Sequence, residues 1–145
     1  MILVDANLLL YAVNADLPRH AAARAWLERT LSGAEAVGIP WVVLLAFVRI
    51  GTNPRVFPHP LAIEEATAYV DGWLAQPTVV TVAPGRNHWT ILRGLLHQCG
   101  ASANLTTDAH IAALAIEHGC EVYSTDNDFK RFPGITHVDP IAVGG

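Results

Sequence analysis

The chain has 145 residues, of which 52% are hydrophobic and 15% charged, and its formal net charge is -4. This length is typical of one domain, which we expect to span residues 1–145, and the composition excludes intrinsic disorder. The acidic charge excludes a protein that holds nucleic acid through its overall field. A role on nucleic acid would therefore need a local basic patch or bound cations.

The cysteines and the amino terminus indicate the compartment. Cys99 and Cys120 form neither a disulfide framework nor a metal-binding spacing, which is typical of a reduced, cytoplasmic protein. The apolar first 13 residues lack a basic leader and are interrupted by Asp5 and Asn7, so we expect neither a signal peptide nor a membrane span. The hydrophobic excess predicts that an oligomer or a partner protein covers part of the surface.

Strands and helices alternate along the chain. Continuous apolar or β-branched runs predict strands over residues 2–4, 36–39, 79–82, 121–124 and 136–138. Helical spacing predicts helices over approximately residues 20–31, 40–51, 63–74, 88–98 and 107–118. This alternation implies a parallel sheet with helices on both faces, so the predicted fold class is α/β.

Four aspartates fall where ligands bind in such folds, beyond the carboxyl ends of the strands. Asp5 directly follows the first strand, and Asp126 and Asp128 directly follow the fourth. Asp108 is predicted in the first turn of the helix over residues 107–118, and a helix start commonly faces the same edge of the sheet. The sequence therefore predicts an acidic cluster at this edge.

Each aspartate also has an ordinary structural explanation. Asp5 could cap a short helix that starts at Ala6, Asp108 could complement a helix dipole, and the other two could form an Asx turn. Clustered carboxylates, however, raise each other's pKa and oppose folding unless a cation neutralises them. Ligands that are all oxygen favour Mg²⁺ or Mn²⁺, and such a site supports phosphodiester cleavage.

Three segments resemble the PIN-domain family, and within it the VapC toxins of toxin–antitoxin operons. Residues 1–7 (MILVDAN) resemble its strand-plus-aspartate start, and residues 107–115 (TDAHIAALA) its helix with a metal-binding aspartate. Residues 124–134, which contain STDNDF and FPG, resemble its carboxyl-terminal signature. The resemblance spans nearly the whole chain in the right order.

The resemblance implies a three-layer α/β/α fold and a Mg²⁺-dependent endoribonuclease. It implies that Asp5, Asp108 and Asp126 bind the metal, with Asp128 nearby. It also implies that two further residues support these carboxylates or orient the attacking water, Asn7 and Thr125. The implied substrate is RNA, in tRNA or other structured loops, and the implied partners are a VapB-type antitoxin and a second copy of the chain.

One position departs from the family pattern. PIN domains usually carry a glutamate on the helix after the second strand, and Ala46 stands at that position here. A second hypothesis is therefore a catalytically weakened PIN domain that acts as a binding or regulatory partner. Arg49 lies one turn beyond Ala46 and could meet substrate phosphate or an active-site carboxylate, or could be an ordinary surface arginine.

Cationic and aromatic side chains elsewhere could form a nucleic-acid surface. Four cations are candidates for a phosphate-contacting rim: Arg86, Arg93, Lys130 and Arg131. The last two are favoured because they directly follow the acidic turn. The four tryptophans could also stack on bases, namely Trp26, Trp41, Trp73 and Trp89. Trp26 and Trp73 lie in amphipathic helices, where packing is the expected role.

A third class of function, phosphotransfer, fits poorly. A response-regulator receiver needs paired acids after its first strand, and a haloacid-dehalogenase-like phosphatase needs Asp-x-Asp there. This chain has Asp5-Ala6-Asn7 at that point. The sequence therefore favours a metal-dependent nuclease.

Overall fold

One parallel sheet forms the centre of the molecule. The computed structural model describes residues 1–100 and 103–142, with all of their side chains except those of residues 103 and 104. The strands of the described part are β1 (Ile2–Val4), β2 (Val37–Gly38), β3 (Val79–Val80), β4 (Glu121–Tyr123) and β5 (His137–Val138). Their spatial order is β3-β2-β1-β4-β5, so the direction of strand addition reverses between β1 and β4.

The central strand, β1, pairs in parallel with both β2 and β4. Its three residues are buried, as expected for a strand with neighbours on both sides and helices on both faces. Gly38 of β2 packs closely against its neighbours. A Cβ atom at this position would lie 2.5 Å from Cδ2 of Leu3 on β1 and 2.7 Å from Cγ2 of Val82, beyond β3.

The helices form two layers. They are α1 (Ala6–Val13), α2 (His20–Leu31), α3 (Trp41–Gly51), α4 (Ile63–Leu74), α5 (His88–Cys99) and α6 (Ala103–His118), and a short 3₁₀ helix follows β4 (Asn127–Arg131). α1 to α4 connect β1 to β2 and β3, whereas α5 and α6 return the chain from β3 to β4. Right-handed crossovers place these two groups on opposite faces of the sheet, which confirms the predicted α/β/α architecture.

Several elements differ from the sequence prediction. The sequence pattern does not predict α1, because most of its residues are buried and it therefore shows no polar stripe. α6 begins at Ala103 rather than at residue 107, so the prediction that Asp108 lies in the first turn is wrong: Asp108 lies in the second turn. β2 and β3 are two residues each, shorter than predicted.

The surface of the described residues retains large apolar side chains. They include Trp41 and Leu45 on α3 and Trp89 on α5, which are 52%, 65% and 63% exposed. No helix in the described part of the chain is long and apolar enough to cross a membrane.

Candidate metal centre

Two adjacent strands bring the first carboxylates together. Asp5 follows β1 and Asp126 lies just beyond β4, and the backbone N–H of Asp5 donates to the carbonyl of Tyr123 at 3.0 Å. This edge, between β1 and β4, is where the strand order reverses. Ligands of open α/β sheets bind at such a switch point.

The closest cluster contains three carboxylates. One oxygen from each of Asp108, Asp126 and Asp128 lies within 4.8 Å of the others, and all three residues are half-buried. The backbone N–H of Asp128 donates to Asp126 Oδ1 at 2.9 Å, so an Asx turn shapes the loop as well. Asp5 lies outside this closest set, but its charge raises the pKa of Asp108, and the charge of Asp126 in turn raises the pKa of Asp5.

Ser124 connects the two parts of the site. This fully buried residue donates through Oγ to Asp5 Oδ2 at 2.8 Å. Ser124 Oγ also accepts the backbone N–H of Asp126 at 2.9 Å and Asn7 Nδ2 at 3.2 Å. One donated and two accepted bonds use the whole capacity of a hydroxyl, so its orientation is set by its partners.

Asn7 ties the amino-terminal strand end to the carboxyl-terminal loop. Asn7 Nδ2 donates to Asp5 Oδ2 at 3.3 Å, and Asn7 Oδ1 accepts the backbone N–H of Thr125 at 3.3 Å. Thr125 thus joins the network through its backbone. Asp5 is also the N-cap of α1, because its Oδ1 accepts the N–H of Ala6 at 2.8 Å. The helix-capping role that its sequence position predicts is therefore present, and Asp5 lies beside the carboxylate cluster as well.

The pKa values of Asp5 and Asp108 are both raised, for different combinations of causes. Burial raises the pKa of Asp5, and the bonds from Ser124 and Ala6 oppose that rise. Asp108 has its pKa raised to about 7, first by burial and then by the charges of Asp126 and Asp5. The carboxylates repel one another, so a bound cation would stabilise their charged forms.

Comparison with known proteins decides the family. The family model for the PIN domain matches residues 2–135. Ribonuclease VapC37 of Mycobacterium tuberculosis is 48% identical over 143 residues, which are 99% of this chain and 99% of that protein. The chain belongs to the PIN-domain family, among the VapC ribonucleases. Ribonuclease VapC33 of the same species is 43% identical over 97% of this chain and 99% of its own length.

Solved VapC structures share the fold. Mycobacterium tuberculosis VapC20, described as a sarcin–ricin loop cleaving toxin, has a TM-score of 0.68 at 20% identity and covers 94% of this chain and 99% of its own. VapBC2 from Rickettsia felis, bound to a DNA fragment from its promoter, has a TM-score of 0.66 at 19% identity, over 95% of this chain and 98% of that one. At these identities the likeness establishes architecture alone.

Ala46 and Arg49, the two residues of the predicted second helix considered for the site, both lie on α3. Ala46 is half-buried and packs against the core. Arg49 is exposed, and no ion pair of the described residues includes it. The cation beside the cluster is instead Arg131, whose Nε lies 3.6 Å from Asp128 Oδ1.

Sequence analysis assigns no role to two residues of the site, Ser124 and His137. His137 Nε2 donates to the carbonyl of Ser124 at 2.8 Å, and a positive charge on its ring would oppose the rise in the pKa of Asp5. Ser124 has a signal in the sequence, a hydroxyl at the carboxyl end of a predicted buried strand. His137 has none, because its partner depends on the pairing of β4 with β5.

Proposed function

We propose that this VapC-type protein is a Mg²⁺-dependent endoribonuclease that acts as the toxin of a toxin–antitoxin pair and cleaves RNA to inhibit translation. The observation that supports it most is the cluster of Asp108, Asp126 and Asp128 beside Asp5, at the switch point of a PIN fold. The relatives that are 43% to 48% identical are named ribonucleases.

The donor set fits a hard divalent cation. All four side chains offer carboxylate oxygens, which Mg²⁺ and Mn²⁺ prefer. Ligands about 2.1 Å from a Mg²⁺ ion lie at most about 4.2 Å apart, so the 4.8 Å limit on the separations in the cluster is close to that span. The ligands we propose are Asp5, Asp108 and Asp126, with Asp128 completing the shell. The ion would lower the pKa of a bound water and offset the charge of the scissile phosphate.

The chain's own residues would hold this arrangement in place. Hydrogen bonds from Ser124 and Asn7 to Oδ2 hold the Asp5 carboxylate in one orientation, as the outer-shell partners of a metal-binding carboxylate do. The backbone of Thr125 is held by Asn7 at the loop entrance. Exposed Lys130 and Arg131 follow the cluster and would offset phosphate charge at its rim.

The substrate and the partners follow from the relatives and from the surface. We propose structured RNA loops, tRNA included, because unpaired bases can reach a cleft at a sheet edge. Antitoxin complexes among the structural neighbours support a VapB-type partner. A cationic side chain of that partner would pair with the carboxylates. The exposed apolar side chains of α3, Trp41 and Leu45, support a homodimer. RNA as substrate and two free cysteines support a cytoplasmic location.

Induced expression followed by sequencing of new RNA 5′ ends tests this proposal. The wild-type chain should arrest growth and produce discrete new ends, and purified protein should cleave the same RNA with Mg²⁺ or Mn²⁺ but not with EDTA. Asp5→Ala and Asp108→Ala should remove both effects. Asp71→Ala, at an exposed position of α4, is the matched control and should retain them. Cleavage that persists in EDTA or in both site variants would refute the proposal.

Ala46 supports the second candidate, a weakened PIN domain that binds RNA or a partner without efficient cleavage. α3 offers no carboxylate to the cluster, since its sequence is WVVLLAFVRIG. In that case the soluble, folded wild type would not cleave RNA with either metal. Ala46→Glu would then be expected to create cleavage.

A further inference from the structure

The exposed face of α5 carries cations and aromatic rings but no acid. Trp89, Arg93 and His97 are spaced four residues apart, so they lie on one side of the helix, and all three are exposed. Arg86 is exposed in the turn before the helix. The α5 face, as we name these four residues, extends about 12 Å along α5 at a rise of 1.5 Å per residue.

Trp89 is the feature of the α5 face that packing does not explain. Its side chain is 63% exposed, and no ring contact of the described residues includes it. By contrast, Trp26 stacks on Tyr123, and Trp73 packs edge-on against Phe47. An exposed indole beside a cation is a typical platform for a nucleic-acid base.

The carboxylate that contacts the start of α5 is engaged internally. Glu117, on α6, accepts the backbone N–H groups of Gly85 at 2.7 Å and Asn87 at 3.0 Å. It also lies 3.8 Å from the buried His88. Its charge is therefore directed toward the turn and the interior, and Arg86 and Arg93 remain available for a polyanion.

α5 is fixed in orientation and ends beside the carboxylates. His88 Nε2 and His110 Nδ1 share a hydrogen bond of 2.8 Å that joins the start of α5 to α6. At the other end, Cys99 Sγ donates to the carbonyl of Arg131 at 3.5 Å. Arg131 is in turn the cation beside Asp128. The α5 face thus leads from Arg86 toward the rim of the metal centre.

We propose that the α5 face binds a single-stranded segment of the RNA substrate outside the scissile phosphate. Arg86 and Arg93 contact phosphates, Trp89 stacks on a base, and the strand continues past His97 to Lys130 and Arg131. This inference rests on the proposed function, and it explains how a chain with a net charge of -4 holds a polyanion. Charge complementarity and the continuity with the metal centre favour RNA over a second copy of the chain as the occupant.

The test is binding of a fluorescein-labelled, 12-nucleotide single-stranded RNA of mixed sequence, in an Asp108→Asn background that prevents cleavage. Trp89→Ala should raise Kd roughly 5- to 100-fold, while Trp89→Phe keeps most of the affinity because it keeps a ring. Trp89→Leu, which keeps apolar bulk without a ring, should behave like Trp89→Ala.

The charge contribution is measured by salt dependence. Arg93→Ala should weaken binding and make the slope of log K against log salt shallower by about 0.7, which corresponds to one phosphate contact on a single strand. Arg55→Ala removes another exposed arginine, from the loop after α3, and should change neither quantity. The wild type should bind a 12-nucleotide RNA more tightly than a 4-nucleotide RNA. Trp89→Ala and Arg93→Ala should lose most of this gain in affinity.

Two outcomes would overturn the inference. One is affinity equal to the parent in both Trp89→Ala and Arg93→Ala, with folding confirmed by circular dichroism. The other is a dimer that dissociates in Trp89→Ala, seen by light scattering, with RNA affinity per protomer unchanged, since the α5 face would then contact a second copy. A wild type that binds through the α5 face but cleaves no RNA would refute the proposed function instead.

Discussion

The buried and outer parts of the candidate metal centre are stabilised in opposite ways. Asp5, on the buried side, receives hydrogen bonds from Ser124, Asn7 and the N–H of Ala6. The outer group of Asp108, Asp126 and Asp128 places three carboxylates together, and the pKa of Asp108 is raised to about 7. The protein therefore supplies the hydrogen-bond partners of Asp5 itself, whereas the carboxylates of the outer group repel one another and would be stabilised by a bound cation.

The largest effect should come from removing the charge of Asp108 from the outer group. Asp108→Asn should lower RNA cleavage by at least about 100-fold, because the metal's contribution to the transition state is several kcal/mol. In EDTA the same variant should melt at a higher temperature than the wild type, since a repelling charge is gone. Single-turnover cleavage and thermal unfolding measure the two effects. Lower stability in EDTA would contradict the contrast between the two parts.

Removing the hydrogen bond from Ser124 to Asp5 should lower both activity and stability. Ser124→Ala removes the donor to Asp5 and should destabilise the fold by about 1–3 kcal/mol. It should also weaken metal binding or activity by about 10- to 100-fold. Thr125→Ala is the neighbouring control and should change stability by less than about 0.5 kcal/mol, because Thr125 joins the network through its backbone. Urea unfolding and Mg²⁺ titration of the cleavage rate distinguish them.

The pH dependence of stability sharpens the comparison. Asp108 has a folded-state pKa of about 7 against an ordinary value of 3.8, so between these values the folded state holds a proton that the unfolded state has released. The free energy of unfolding of the metal-free protein should therefore fall as pH rises from about 4 to about 7. In EDTA, the free energy of unfolding measured with urea should fall less with pH for Asp108→Asn than for the wild type. Saturating Mn²⁺ at pH 7 should restore the stability that the wild-type protein loses. Equal slopes in the two proteins would contradict the raised pKa.

The smallest effect is expected at Arg49. Its exposed side chain has no ion pair among the described residues, so Arg49→Ala should change the free energy of unfolding by less than about 0.5 kcal/mol. Cleavage should fall by less than about twofold, whereas Arg131→Ala, beside Asp128, should lower it further. A larger loss for Arg49→Ala would show that substrate binding draws this arginine to the site.

The sequence by itself determined the α/β alternation, most helix boundaries and the edge at which four aspartates meet. These follow from local patterns, since the period of apolar residues and the polar residue after each strand can be read within one segment. α1 is an exception, because a helix buried on most of its surface has no polar stripe to reveal its period.

Only the tertiary structure decided which groups meet within the site. It placed Asp128 in the closest cluster and Asp5 behind it, and it left Arg49 exposed. It also brought Ser124 Oγ to Asp5, across 119 positions of sequence. Such contacts depend on the pairing of β1 with β4 and on side-chain directions after packing, which no local pattern encodes.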